Sequence, residues 1–279
     1  MKIFITGATG KVGSRFALDL LEKGNEVYVL VRDLNRAQFL KDKGAKLVEG
    51  DLTNKELLIE AIRGTDVVVH LAAQFRGVSE EQAWTTNVEG TEVLAKATLS
   101  AGVKRFVFSS TSLVYMNEER TRPITEDETI KPIAIYPKSK AESENFLKDL
   151  RDSEGLDLRI LRFAFVYGDG DEHLAEFSPM MSKWDPKQRL SMAHHKDITN
   201  ALYLACVTPE VKTGVYNVAG KIPSTVDELL KYLKVAPTNE DILSFSEYEM
   251  VLDISAIEKE LGFIARYPSF DDAVKDDAL

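Results

Sequence analysis

The apolar segment Lys2–Thr6 runs directly into Gly7-Ala8-Thr9-Gly10-Lys11-Val12-Gly13, and helical periodicity begins as soon as the glycines end. Val12, Phe16 and Leu20 recur at four-residue spacing, so a helix is expected over 11–23, stopped by Gly24. A strand, a glycine loop and a helix in immediate succession leave few folds open. Glycines let the backbone turn tightly and come close to a pyrophosphate, and the helix start offers free N–H groups and a positive dipole end. An ordinary glycine-rich turn is the plain alternative, and the flanking strand and helix weigh against it. Gly7, Thr9, Gly10, Lys11, Val12 and Gly13 are therefore candidate dinucleotide contacts.

The pattern repeats downstream. Strands are expected at 26–31, 46–49, 66–71, 105–109 and 158–162. Helices are expected between them at 36–43, 56–62, 87–101 and from about 136 to 150. Short, continuous β-branched runs alternating with helices define an α/β fold, a doubly wound parallel sheet of the Rossmann type covered on both faces. After Gly168 the pattern changes: 169–189 is polar and irregular, followed by a helix at 197–205, a strand at 215–218 and helices at 226–233 and 257–261. Residues 1–168 are expected to bind the dinucleotide, with 197–220 able to return to that domain, and 169–279 to form a smaller α+β substrate lobe.

Composition narrows the partners. The net charge of −10, with both signs mixed along the chain, argues against nucleic acid, whose phosphates need a basic face. No apolar run approaches the roughly 20 residues of a membrane span. A first strand at Lys2 leaves no room for a signal peptide, and Cys206 is the only cysteine. A cytoplasmic home is expected. His194 and His195 are adjacent and would point to opposite faces of a strand, and Asp169–His173 reads as a solvated acidic loop, so no metal site is expected.

The second strand ends Val29-Leu30-Val31-Arg32-Asp33. An acid at its last position would bind both ribose hydroxyls of NAD, but Val31 stands there. Arg32 can pair with a 2′-phosphate, which favours NADP; Asp33 keeps NAD possible.

Tyr136-Pro137-Lys138-Ser139-Lys140 puts a phenol and an amine on one helix face. A phenol with a pKa of about 10 is a poor base at neutral pH, and a nearby ammonium lowers that value. A hydroxyl to polarise a substrate oxygen is available in Ser109-Ser110-Thr111-Ser112.

Taken together, the glycine loop, Phe106–Tyr115, Tyr136–Lys140, Leu161-Arg162-Phe163 with Val166-Tyr167-Gly168, His194/Asp197, Tyr216-Asn217-Val218 and Leu252–Phe263 resemble the NAD-dependent epimerase/dehydratase family, the extended short-chain dehydrogenases. The resemblance covers nearly the whole chain. It implies Thr111, Tyr136 and Lys140 as catalytic residues, and Asp51, Leu52, Leu71, Ala72, Val166 and again Tyr136 and Lys140 as further cofactor contacts, with Lys140 reaching the nicotinamide ribose. It implies a helix at Asn87 whose side chain orders the strands near the site, and a homodimer. His70 is read as a structural buried histidine. Thr85, Tyr115, Ala164 and 169–189 are expected to line the pocket of a small-molecule substrate. Ser112 and Leu113 stand where dehydratases carry an acidic pair, which disfavours dehydration. The expectation is an NAD(P)-dependent oxidoreductase or epimerase for a secondary alcohol or carbonyl, foremost of a nucleotide sugar. A reductase of a small non-nucleotide carbonyl is the alternative, with a non-catalytic NADP sensor behind it.

Overall fold

The computed structural model describes residues 1–115, 119–238 and 242–279. Its main sheet has seven strands: β1 (Lys2–Thr6), β2 (Glu26–Val31), β3 (Lys46–Glu49), β4 (Val67–His70), β5 (Arg105–Thr111), β6 (Asp157–Phe163) and β10 (Val215–Val218). Their order is β10-β6-β5-β4-β1-β2-β3, and the pairs from β3 through β5 are parallel. This is the doubly wound Rossmann arrangement, which reverses direction between β1 and β4. Register puts Thr6 beside both Leu30 and His70, and His70 beside Phe108, so four adjacent strands run toward the same edge of the sheet.

The first compact unit comprises Met1–Ser110, Ile133–Leu161 and Leu202–Val215. It contains helices α1 (Lys11–Glu22), α2 (Gln38–Asp42), α3 (Lys55–Ile62), α4 (Glu80–Trp84), α5 (Gly90–Ser100) and α6 (Ile135–Glu154). Its core packs Phe4, Val68, Phe106 and Ile160 of the sheet with Leu58, Leu94 and Leu147 of the helices. The helix expected at 87–101 starts earlier, at Glu80 under a Ser79 capping box, and passes through a π-helical stretch at Thr85–Glu89. Such insertions cluster at functional sites because they re-aim a few side chains without ending the helix. The next helix, α6, outruns its expected end by four residues and stops at Gly155, whose φ of 71° closes it.

The second unit comprises Thr111–Pro132, Arg162–Ala201 and Tyr216–Leu279. It holds two small sheets, β7 (Phe165–Tyr167) parallel to β9 (Met192–His194), and β8 (Arg189–Leu190) antiparallel to β11 (Ser224–Thr225). Its helices are α7 (His173–Met181), α9 (Val226–Leu233), α10 (Ser255–Leu261) and α11 (Phe270–Lys275); α8 (His195–Val207) starts here and ends in the first unit. Helix α9 is capped by Thr225, in a capping box with Glu228. The stretch 169–189, expected to be irregular, contains α7, whose apolar face is supplied by Leu174, Phe177 and Met181. Neither α7, which carries Pro179 inside it, nor the six-residue α11 was expected.

Candidate active site

A cavity of about 520 Å³ lies in the first unit, at the carboxyl ends of β1, β2 and β4. Of the residues expected to hold a dinucleotide, Gly7, Thr9, Gly10, Arg32, Asp51, Leu52, Leu71 and Ala72 line it. Lys11, Val12 and Gly13 form the first turn of α1 and do not line the cavity. Thr6, Arg36, Gln74 and Thr86 also face it, and none was expected; Thr85, expected against substrate, belongs here too. Arg36 sits in a single 3-10 turn, Asn35–Ala37, too short for periodicity in the sequence to aim it.

The glycines divide the work of the loop. Gly7 has φ 76°, and a Cβ there would sit 2.5 Å from the Ala72 amide nitrogen. A Cβ on Gly13 would stand 2.2 Å from the Gly7 carbonyl. Both close approaches fold the loop onto β4 and itself. Gly10 is different: its nearest neighbour would be 3.3 Å away, it is exposed, and it caps α1 without any side-chain hydrogen bond. The bare helix start therefore opens on the cavity, and the residues present fit a dinucleotide, whose pyrophosphate Gly10 would leave room for.

Two guanidinium groups stand at the β2 end of the cavity. Arg32 and Arg36 both line the cavity, and Val31 beside them is buried. Asp33 does not line it; its carboxylate accepts the Asn35 N–H at 2.9 Å, closing the turn. Asp51 accepts both the hydroxyl (2.5 Å) and the amide (2.8 Å) of Thr53, and these bonds, aided by Arg32, hold its carboxyl below the usual range.

Behind the cavity runs a buried polar chain. The Thr91 hydroxyl donates to the Asn87 carbonyl at 2.5 Å, so it accepts from His70 Nε2 at 2.9 Å. Nδ1 of His70 is then the acceptor for the Thr6 hydroxyl at 2.6 Å. His70 is neutral, fully buried and satisfied, and burial, with the Lys140 charge nearby, drives its pKa well below 6.5. The unfolded chain therefore takes up a proton below about pH 6.5 that the folded chain refuses, and stability falls by up to about 1.4 kcal/mol per pH unit from this group. Urea midpoints are expected to drop between pH 7.5 and 5.5, and a flat profile would contradict the assignment. Asn87 clamps the site from the other side, accepting from the Gln74 amide at 2.7 Å and donating to the Gln74 carbonyl and to Ser139 of α6, each at 2.9 Å.

Tyr136 and Lys140 lie on α6 in this same unit. The Tyr136 ring is half-buried and meets Phe75 edge-on at 4.6 Å. Lys140 is buried, with Nζ donating to the Ser109 carbonyl at 2.8 Å and standing 4.4 Å over the Phe108 ring. The expected lowering of the phenol pKa is reversed: burial pushes Tyr136 up to about 12 and Lys140 down to about 7, the latter opposed by Glu144. The reason is direction: the amine is spent on a backbone carbonyl, and loss of water dominates both groups.

Thr111 and Val166 belong to the second unit. Thr111 Oγ1 accepts the Leu113 N–H at 3.2 Å, and Val166 pairs with Ala193. Tyr115, expected to line a pocket, is a fully buried strut: its hydroxyl donates to Asn217 at 2.9 Å and accepts from Arg162. The Asp169–His173 stretch, expected to be solvated, buries Asp171 against His195 at 2.8 Å. His194 meets the Ala278 carbonyl at 2.7 Å, and Asp197 accepts the amides of Arg266 and Tyr267.

A parallel sheet with a glycine-cradled cavity at its switch point defines a dinucleotide-binding Rossmann enzyme. Residues 3–219 match the profile of the NAD dependent epimerase/dehydratase family, and the chain belongs to that family. It is an enzyme of the NAD-dependent epimerase or dehydrogenase class. Sterol-4-alpha-carboxylate 3-dehydrogenase, decarboxylating, of Dictyostelium discoideum is 31% identical over 73% of the chain, which spans 66% of that protein's length. UDP-glucose 4-epimerase of Halalkalibacterium halodurans is 28% identical over 99% of the chain and 94% of its own length. Among solved structures, UDP-glucose 4-epimerase of Thermotoga maritima with UDP-glucose superposes with a TM-score of 0.82, at 25% identity, over 99% of this chain and 96% of that one. The dTDP-glucose 4,6-dehydratase DesIV of Streptomyces venezuelae, with NAD bound, gives 0.80 at 26% identity over 99% and 95%. Among the described residues no helix is long and apolar enough to cross a membrane.

Proposed function

We propose that this enzyme moves a hydride between a nicotinamide dinucleotide and a secondary alcohol or carbonyl of a nucleotide sugar, as an epimerase or oxidoreductase. The observation that carries the reading is the presence of Tyr136 and Lys140, on one helix, in the same unit as the glycine-cradled cavity. The dinucleotide, held by the Gly7–Gly10 loop, Asp51, Leu52, Leu71, Ala72 and, by family resemblance, Val166, supplies hydride when bound. Tyr136 moves the proton at the substrate oxygen, Lys140 supplies positive charge, and Thr111 polarises that oxygen. Because burial keeps the Tyr136 phenol protonated at neutral pH, it is ready to donate to a carbonyl; alcohol oxidation asks it to lose a proton first and is favoured by alkaline conditions. A homodimer in a reducing cytoplasm, in keeping with the single buried Cys206, completes the reading.

The test is a panel of UDP-, GDP- and dTDP-sugars and simple ketones, followed by nicotinamide absorbance and by chromatography of the sugar products. Interconversion of a sugar without net cofactor use identifies an epimerase, and stoichiometric NADPH oxidation a reductase. No turnover on any member would overturn the proposal.

For the cofactor, NADP is proposed over NAD. Arg32, Arg36 and Val31 line the cavity where NAD enzymes carry an acid, and Asp33 is engaged in its turn. The neighbouring DesIV crystal holds NAD, so the preference rests on this chain's own two guanidinium groups. Replacing both arginines with Ala is expected to weaken NADPH binding by about 10- to 100-fold, since a charge-assisted hydrogen bond contributes about 1.5–3 kcal/mol. NADH binding should barely change. Equal weakening of both, in titrations of cofactor fluorescence, would refute the preference.

A further inference from the structure

Glu144 stands one helical turn beyond Lys140 on the buried stripe of α6 and is completely shielded from solvent. Its Oε1 accepts the Ser110 hydroxyl at 2.6 Å, and its Oε2 faces Lys148 Nζ at 3.1 Å. Side chains four residues apart on a helix are neighbours, so Tyr136, Lys140, Glu144 and Lys148 form one run of phenol, amine, carboxylate and amine. Strand β5 braces the middle of that run twice: the Ser109 carbonyl holds Lys140, and the next residue's hydroxyl holds Glu144. A carboxylate is costly to bury and is rarely found fully enclosed unless it is paired.

From this arrangement we infer that Glu144 is a positioning residue: a fixed buried negative charge that keeps Lys140 in its ammonium form on the Ser109 carbonyl. The inference rests on the reading in which Tyr136 and Lys140 carry the proton transfer. Burial pulls the Lys140 amine down to about 7, and the Glu144 charge opposes that fall. The other titratable groups around Lys140 do not replace it. His70 on β4 is a neutral imidazole, Tyr136 stays a neutral phenol to about 12, and Lys148 partly offsets Glu144 from its far side.

Glu144→Gln keeps the size and the acceptor for Ser110 and removes the charge. The Lys140 titration is expected to move down by about one pH unit, which lowers the ammonium fraction at pH 7 about fivefold. The direct measurement is the pH titration of lysine Cε/Nζ resonances by NMR, with Lys140 assigned through Lys140→Met. Glu144→Asp should return the midpoint toward the parent value. Ser110→Ala, which withdraws a donor from the charged carboxylate, should shift it in the same direction as Glu144→Gln but less. Once a substrate is found, the alkaline limb of turnover should move to lower pH in Glu144→Gln, which a merely structural loss would not produce. An unchanged Lys140 midpoint in folded Glu144→Gln overturns the inference, and so does an unchanged midpoint in Ser110→Ala if the first variant fails to fold. A shifted midpoint in a protein that turns over none of the panel substrates upholds the role of Glu144 and sinks the proposed reaction instead.

Discussion

Tyr136→Phe is expected to cut turnover about a thousandfold, the middle of the range for removing a positioned proton donor, while the protein folds and binds cofactor as before. The structure separates these effects cleanly. Among the described residues none hydrogen-bonds the Tyr136 hydroxyl, so its removal leaves no buried partner unsatisfied. The ring itself is retained, and with it the edge-on contact to Phe75. Stability should therefore change by no more than about 0.5 kcal/mol. Tyr136 does not line the cavity at the glycine loop, so dinucleotide affinity should also stay within about twofold. Turnover retained at the parent level would remove Tyr136 from the mechanism. Lost cofactor binding would instead show that the phenol's role is to hold the ligand.

Gly7→Ala should damage both stability and the cavity. At φ 76° an alanine pays about 1–2 kcal/mol for a left-handed backbone. Its methyl would also press on Leu71 and Ala72 at 2.5–2.6 Å, against backbone atoms that have no rotamer to escape into. Overpacking of this kind costs about 1–3 kcal/mol more. Gly24→Ala is the control: its φ is also 76°, but nothing lies within 4 Å of the added methyl, so only the backbone cost applies. Thermal midpoints should rank parent, Gly24→Ala, Gly7→Ala, with the last displaced by about 4–20 °C at roughly 2–4 °C per kcal/mol. Because Leu71 and Ala72 line the cavity, NADPH quenching of intrinsic fluorescence should weaken at least tenfold in Gly7→Ala and hold in Gly24→Ala. Equal midpoints for the two variants would show that the loop does not pack against β4 as described.

Much of this site is legible before any coordinates are known. The segments β1, β2, β3 and β10 fall where the apolar runs place them, residue for residue. The glycine spacing, the hydroxyl-rich end of β5 and the Tyr136–Lys140 pair all rest on short-range rules of backbone sterics and helical periodicity. His70 was legible as structural, although its partners Thr6 and Thr91 were not.

The sequence by itself determined the layering of helices on a parallel sheet, the cradle at its first turn and the amine four residues from the phenol. Each of these follows from interactions within a few residues along the chain. Only the tertiary structure decided which charges lose their water. It turned Arg36 toward the cavity, made Tyr115 a buried strut, closed Asp171 on His195 and sealed Glu144 behind Lys140. It also reversed the expected direction for the Tyr136 phenol. Solvent exclusion is a property of everything packed around a group, contributed by segments tens of residues apart, and no local pattern encodes it.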